Sequence, residues 1–236
     1  MTEPVRLSKR LAQLLSCSRR EAELYIEGGW VRVDGEVVEE PHVRVTDEAI
    51  ELLPGARAEP VPPATLLLQL PAGVEEDAAA ALLAPHAHWP EDPHRVRMLK
   101  RHFRRLELAL PLQPGAAGLS VWSQDARLLR KLRDDAGRLE QEYVVEVAGT
   151  PARDSLVRLR RAASVEGRAL SAAKVSWQSE NRLRFAVKAP RPGQIRALCE
   201  QAGLRVLGMR RIRIGRLPLA RLPAGQWRYL GAMEKF

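Results

Sequence analysis

The chain has little cysteine and no long apolar run. Its 236 residues include two cysteines, Cys17 and Cys199, far apart and without CxxC spacing. A reducing cytoplasm fits this better than a disulfide framework, and a zinc site is not expected. No stretch reaches the roughly 18 apolar residues of a membrane helix, so no membrane span is expected. The first residues, MTEPVRLSKR, are polar and charged, without the apolar region of a signal peptide. Acid is also missing locally: between Pro4 and Arg20 stand five basic residues (Arg6, Lys9, Arg10, Arg19, Arg20) and no acidic one.

What is abundant is positive charge. Lys and Arg number 38 against 29 Asp and Glu, a net charge of +9, and the pI is near 10.2. Nucleic acid is the first partner such a balance suggests. Of the 38 basic residues 32 are Arg, which genome composition alone can produce, so the distribution is more telling. Residues 1–60 hold 8 basic and 12 acidic residues, net −4, which leaves +13 for the remainder. A one-signed surface beside an opposite one points to a phosphate-binding face. A second basic cluster comprises Arg95, Arg97, Lys100, Arg101, Arg104 and Arg105, with Phe103 inside it and no acid. It reads as a phosphate-binding candidate, the alternative being a solvated helix face.

The length fits two unequal domains better than one. Val5, Leu7, Leu11, Leu14 and Leu15 recur near helical spacing. Ser18 with Glu21 three residues on predicts a capping box for a second helix from Arg19 to Glu27, ended by Gly28-Gly29. Val31, Val33, Val37 and Val38 flank Asp34-Gly35, a hairpin signal, and short strands are expected around Val43–Val45 and Ile50–Leu52. This module spans residues 4–53. Residues 54–64, PGARAEPVPPA, read as a stiff linker. The second domain, 65–236, is expected to be α+β with a mixed, mostly antiparallel central sheet. Its expected strands are Thr65–Leu70, Leu106–Leu112, Leu119–Ser123, Glu142–Val147, Leu183–Lys188, Val206–Met209 and Ile212–Ile214; its expected helices are Asp77–Leu83, Asp125–Arg133, Arg153–Ala162 and Arg191–Gln201.

Several segments carry a resemblance. RLSKRLAQLLSCSRREAELYIEGGWVRVDG is similar to the small RNA-binding module of ribosomal small-subunit protein four, the S4-type (αL) domain. Arg6-Leu7, Lys9, Ser18-Arg19-Arg20, Ala22, Ile26, Gly29 and Gly35 fall in its register. LPLQPGAAGL (110–119) resembles the active-site segment GRLDxxTxGL of the pseudouridine synthases, GRLEQEYVVEVAG their KxYxVxVxG segment, and PRPGQIRALCEQAG their EGRNRQIRRMCExxG segment. RIRIGRLPLARLPAGQWRYL resembles their C-terminal RxRIGxxxLxxLxxGxWRxL. Together these place the chain with the RsuA/RluB/RluE/RluF-type ribosomal RNA pseudouridine synthases. The segment GQIRALCEQAG is most similar to the RluF-like subfamily, which modifies both ribosomal and transfer RNA.

The resemblance implies a reaction without cofactor, in which uracil is detached from ribose, turned and rejoined through carbon. A carboxylate attacks the sugar or takes part in proton abstraction there. A Tyr packs on the base and an Arg pairs with the carboxylate. The target uridine must be flipped out of its helix. Carried over by position, Tyr143 and Arg196 are retained, whereas Gln113 stands in the carboxylate's place. A neutral amide is neither an anionic nucleophile nor a useful base. Pro111 stands where the family has Arg, Ala116 where it has Thr, Leu70 where it has Lys, and Gly193 where it has the first Arg of RNRQIR. Glu107 lies six strand residues from Gln113, roughly 20 Å away. Asp125 matches an acid that caps the following helix, so neither offers a replacement. His86, His88 and His94 lie in a Pro-rich loop rather than a metal site, and Trp89, Trp122, Trp177 and Trp227 read as core or strand residues.

The expected function is therefore binding of structured RNA, ribosomal RNA or its precursor first and transfer RNA second, by a cytoplasmic monomer without metal or cofactor. The basic faces at Arg6, Lys9, Arg10, Arg19, Arg20 and at Arg97, Lys100, Arg101, Arg104, Arg105 would hold phosphates. The alternatives are a working uridine isomerase with an altered site, and a DNA-binding or protein-interacting role.

Overall fold

The capping box expected at Ser18 is formed: Glu21 N donates to Ser18 Oγ at 3.1 Å, and Ser18 N donates to Glu21 Oε2 at 2.8 Å. It opens helix α2 (Arg19–Glu27), which follows α1 (Leu7–Leu15). These helices belong to a computed structural model that describes residues 3–149, 155–160, 164–165, 168–169 and 173–236. The expected first helix begins two residues late, because β1 (Val5–Arg6) pairs with a later strand and Leu7 N donates to Val43 O at 2.7 Å. Strands β2 (Val31–Val33) and β3 (Glu36–Val37) form the hairpin, with Asp34 at φ 49 and Gly35 at φ 84. Two positive φ angles are the signature of the type I′ turn, which suits the strand twist. Strand β4 (Arg44–Val45) pairs with β1, and β5 (Ile50–Leu52) with the other edge of β2. Leu7, Leu11, Ala22, Ile26, Val31 and Val45 close the core between them.

The chain divides into two units, Met1–Pro63 with Val96–Arg104, and Ala64–Arg95 with Arg105–Phe236. The sequence places residues 96–104 in a contiguous second domain, but side chains invisible to a linear pattern tie them to the first unit. Arg97 Nη1 donates to Gly29 O at 3.1 Å and its guanidinium lies 3.8 Å over the Trp30 ring. Lys100 N donates to Glu39 Oε2 at 2.8 Å. Gly29 (φ +68) is needed here, since a Cβ would stand 2.7 Å from Leu99 Cδ2.

The second unit contains, in chain order, β6 (Thr65–Leu70), β7 (Glu107–Ala109), β8 (Ala117–Ser123), α3 (Ala126–Asp134), β9 (Glu140–Ala148), α4 (Ser155–Arg160), the short pair β10 (Ser164–Val165) and β11 (Arg168–Ala169), β12 (Lys174–Ser179), β13 (Arg182–Lys188), α5 (Gln194–Gln201), β14 (Arg205–Ile214), β15 (Leu217–Pro218) and β16 (Trp227–Tyr229). The main sheet runs β12-β13-β9-β14-β8-β6-β16, with β15 beside β14 and β7 beside β8. Only β14 and β8 pair in parallel; the other pairs are antiparallel. The α+β class with a mixed, mostly antiparallel sheet is thus found.

Individual elements differ from the sequence reading. Expected strand 106–112 stops at Ala109, because Leu110 turns out at φ 53 ahead of Pro111. The expected helix over Asp77–Leu83 is a 3-10 turn over Glu76–Leu82. Helix α5 starts at Gln194 rather than Arg191, behind Pro192 and the left-handed Gly193. Two expected strands near the C-terminus are one, β14, with register shifts at Val206/Gly208 and Arg211/Arg213. Strands β12 and β16 are additions to the sequence reading: β12 alternates but holds only two apolar residues, Val175 and Trp177, and β16 is three residues long. The expected helix Arg153–Ala162 is helical at Ser155–Arg160, and its end residues lie outside the described residues.

Candidate functional site

The segment 110–119 joins β7 to β8, and its shape follows from its glycines and prolines. Ala116 N donates to Gln113 O at 2.9 Å, closing a turn with Pro114 and Gly115 at its centre. Gly115, at φ 71, supplies the positive φ that a type II turn requires there. Gly118 (φ +104) opens β8 against β14, where a Cβ would fall 2.3 Å from Arg211 O. The motif glycine is what lets the two parallel strands meet.

Gln113 is buried, with 3% of its surface exposed. Its Nε2 donates to Arg191 O at 2.8 Å, and its Oε1 is buried without a partner among the described residues. Arg191 O also accepts from Gln194 N at 3.1 Å, while Gln194 Oε1 accepts from Arg191 N at 3.0 Å. The fully buried Gln194 thereby shapes the loop against which Gln113 rests. Arg196, on α5, is exposed, and its Nη2 would lie 4.0 Å from a Cβ built on Gly115. Tyr143, on β9, has 0% exposure, and its hydroxyl donates to Gln141 Oε1 at 3.1 Å. Burial pushes the Tyr143 phenol up, the Glu76 carboxylate adds to the rise, and Arg211 and the Gln113 backbone oppose it. Three positions named from sequence, Gln113, Tyr143 and Arg196, are thus gathered around one loop. No face of the Tyr143 ring is open, so a base could stack on it only after side chains move.

Two residues that sequence reasoning missed complete the cluster. Arg211, opposite Tyr143 in register, is fully buried. Its Nε donates to Leu119 O at 2.8 Å, and its Nη1 to Leu110 O at 2.7 Å, Pro111 O at 3.2 Å and Gln141 Oε1 at 2.9 Å. The RxRIG motif contained this Arg, but a strand position gave no sign that its side chain turns inward. Glu76 takes the Leu112 N–H on both oxygens, at 3.2 and 2.9 Å, and the Ser120 hydroxyl at 3.2 Å. Burial holds its carboxyl above the usual range, against the pull of Leu112 N, Arg211 and Ser120. Arg211 on the carbonyls and Glu76 on the amide together hold the loop. The alternatives weighed from sequence are accounted for: Asp125 caps α3 by accepting from Arg127 N and Leu128 N, and Glu107 is exposed on β7 opposite Ser123.

The first unit presents Arg6, Lys9, Arg10, Arg19 and Arg20 as exposed side chains. Arg19 and Arg20 both approach Glu23, at 3.4 and 3.7 Å. Of the second basic cluster, Arg97 is engaged with Gly29 and Trp30, Arg101 with Glu27 at 3.4 Å, and Arg104 with Glu40 at 3.7 Å. The acids absent from the local sequence are supplied from the same unit, so this cluster carries less uncompensated charge than its sequence suggests. Lys100 and Arg105 are exposed. His88 pairs with Asp92 at 3.0 Å and His94 with Glu234 at 3.2 Å. No metal-binding group of three such side chains occurs among the described residues, and no helix among them is long and apolar enough to cross a membrane. Trp122, Trp177 and Trp227 lie on strands, and Trp89 packs partly buried on the core.

Comparison with known proteins agrees with this layout. The S4 domain family model matches residues 5–50. The chain is 27% identical over 237 residues to an "Uncharacterized RNA pseudouridine synthase" of Aquifex aeolicus, covering 98% of this chain and 94% of that one. It is 27% identical over 239 residues to "Ribosomal large subunit pseudouridine synthase B" of Bacillus subtilis, covering 97% and 93%. It is 27% identical over 236 residues to "Dual-specificity RNA pseudouridine synthase RluF" of Shigella flexneri, covering 96% and 75%. A solved structure described as "Crystal structure of pseudouridylate synthase" superposes with a TM-score of 0.59 at 18% identity, covering 96% of each chain, which establishes a shared fold.

Proposed function

We infer, from the premise that this chain belongs to the pseudouridine synthases built with an N-terminal S4 domain, that it binds structured RNA without isomerising uridine. Ribosomal RNA is the first substrate class to test and transfer RNA the second, with the cytoplasm as compartment and no cofactor. The observation that carries this reading is the state of Gln113. An uncharged amide occupies the family's carboxylate position, one of its N–H donors is engaged by Arg191 O, and it is almost wholly buried. Neither nucleophilic attack on ribose nor proton abstraction can start from that group. The enclosed ring of Tyr143 supports the same reading.

A second reading, a working isomerase with an altered site, is favoured by one observation. Glu76 is a partly buried carboxylate whose charge is felt by both Arg211 and Tyr143. The two readings separate in one assay: tritium release from ribosomal RNA labelled at the uracil carbon that becomes bonded to ribose. Under the first, the protein releases no more than a buffer blank while still binding the RNA. Release by the protein would overturn it, and loss of that release in Glu76→Gln would assign the chemistry to Glu76.

A further inference from the structure

The face of the sheet opposite Gln113 carries a groove that the site above does not use. Side chains alternate along a strand. On β14, Arg211 points to the Tyr143 side, so Arg210 points away from it; Ile212, at the register shift Arg211/Arg213, lines the same groove as Arg210. On β6, Gln69 lies on the same far side as Leu67, which belongs to the core cluster with Leu119, Ile214, Leu219 and Leu222. Gln69, Arg210, Ile212 and the loop Leu219–Ala224 line a groove of about 490 Å³. That is room for a nucleotide-sized group, within the range of ligand sites.

The groove wall is fixed by the backbone. Leu219 N donates to Ile212 O at 2.8 Å and Leu222 N to Leu219 O at 3.4 Å, so Ala220 and Arg221 form the tip of a turn. Ala220 holds φ 53, a left-handed conformation that a residue with a Cβ rarely adopts. Further on, Gly225 N donates to Gln69 O at 2.9 Å and Gln69 N to Gln226 O at 3.0 Å, clamping the loop to the end of β6. The lining includes two cations, Arg210 and Arg221, and no acid. Both are exposed, and among the described residues neither has a hydrogen-bond or ion-pair partner. Elsewhere in the unit Arg213 and Arg184 are held by Glu140 and Glu142, and Arg228 by Glu234; Arg210 and Arg221 differ in sharing one acid-free groove. Both groove cations also fall outside the motif positions of the C-terminal segment, Arg210 just before it and Arg221 at one of its open places.

We propose that this groove is a second RNA contact, in which Arg210 and Arg221 hold phosphodiester groups of an RNA segment on the sheet face away from Gln113. Guanidinium groups suit this role because their planar donors match phosphate oxygens in pairs. The proposal rests on the RNA-binding reading. It predicts a longer RNA footprint than one face can make.

The test is binding of a fluorescein-labelled RNA hairpin and of total ribosomal RNA, followed by anisotropy across about 50 to 200 mM salt. The unmodified protein is compared with Arg210→Gln/Arg221→Gln, Arg210→Lys/Arg221→Lys and Arg19→Gln/Arg20→Gln, with urea stability of each as the control for folding. Each phosphate contact contributes roughly 0.7 to 0.9 to the slope of log affinity against log salt. The Gln pair should therefore flatten the slope by roughly 1.4 to 1.8 and weaken binding about tenfold or more near 0.1 M salt. The Lys pair should retain most of the slope. If the protein binds RNA and the Gln pair binds as tightly with the same slope, the groove is not a contact, while the RNA-binding reading stands. A Lys pair with a salt slope as flat as that of the Gln pair would mean that charge is not the cause, and the proposal fails. Absence of RNA binding by the unmodified protein would overturn both. Saturable binding of uridine monophosphate lost in the Gln pair, with RNA binding unchanged, would assign the groove to a free nucleotide and overturn the RNA contact.

Discussion

Gln113 and Arg191 are joined by one hydrogen bond, the side-chain Nε2 donating to the backbone carbonyl at 2.8 Å. The bond sets the orientation of the amide. Its donor end meets a carbonyl, which a carboxylate in the same place would repel, and its acceptor end is enclosed without a donor. The donor side of the pocket around position 113 suits an amide.

Gln113→Asp should therefore destabilise the fold by about 1–3 kcal/mol, the range for leaving buried polar groups mismatched. Gln113→Met keeps the volume and removes the orphaned Oε1, and Arg191 O still has Gln194 N. Its cost should stay under about 1.5 kcal/mol, as for other volume-conserving replacements. Urea unfolding with an unchanged slope reads both. An Asp variant as stable as the parent would show that the pocket accepts the family's carboxylate.

Arg211→Met tests the Arg211 hold on the loop. The substitution leaves the carbonyls of Leu110, Pro111 and Leu119 without the guanidinium donor, while Gln141 Oε1 keeps the Tyr143 hydroxyl. A loss of about 3 kcal/mol or more is expected, because several buried acceptors become unsatisfied together. A loss below about 1 kcal/mol, the net worth of one ordinary hydrogen bond, would mean that the loop is held by other contacts.

The sequence made the site legible through residue identities and hid it where geometry decides. Gln113, Tyr143 and Arg196 could be named because each falls in a segment with a recognisable pattern. Glu76 could not, since it lies in an Ala-rich 3-10 turn 36 positions before its partner Leu112. Arg211 was visible as a motif residue, yet an Arg on a strand is ordinarily solvated, and its inward turn depends on the carbonyls of Leu110, Pro111 and Leu119 and on the Gln141 side chain. The capping box at Ser18 and the Asp34-Gly35 turn were legible because both are local and chemically specific. The acids facing Arg101 and Arg104 were not, as they lie 74 and 64 positions away. Strand β12 was hidden for a related reason: its alternation, Lys174-Val175-Ser176-Trp177, holds only two apolar residues, and its pairing with β13 supplies the stability so short a pattern does not show.

Glu76 gives a pH signature. Burial raises its folded pKa above the ordinary value of 4.5. A raised carboxyl binds its proton more tightly when folded. Its contribution to stability is therefore fully present below about pH 4.5 and is lost as pH rises through the folded pKa. Relative to Glu76→Gln, which keeps an acceptor for Leu112 N and Ser120, the parent should lose stability across the window just above pH 4.5. Urea midpoints of the two proteins from pH 4 to 8 should diverge in that direction. Parallel curves would remove Glu76 as the origin.

Arg19 and Arg20 are exposed and approach Glu23 only in surface pairs. Such pairs contribute about 0–1 kcal/mol, so Arg19→Glu/Arg20→Glu should leave the urea midpoint nearly unchanged. RNA affinity should fall at least about tenfold near 0.1 M salt, with a salt slope flatter by roughly 1.4 to 1.8 if both residues meet phosphates. Unchanged affinity would remove this face as the docking surface of the first unit.

Gly118→Ala should be the most damaging small substitution in the second unit. The added Cβ would meet Arg211 O at 2.3 Å and Arg211 N at 2.8 Å, both backbone atoms that cannot step aside. The residue also sits at φ +104, a conformation available to glycine and strained for alanine. Relief would require β8 and β14 to separate at Arg211↔Gly118, in the one parallel pairing of the main sheet. Separation there would also withdraw the Arg211 side chain from Leu110, Pro111 and Leu119. A loss above about 4 kcal/mol is expected, which is exceptional for one methyl group and is reached only when a named mechanism such as backbone strain applies. The second unit should unfold early while the first retains its helices, which hydrogen exchange resolved by segment can read. A Gly118→Ala protein with parental stability would show that the two strands are not packed this closely.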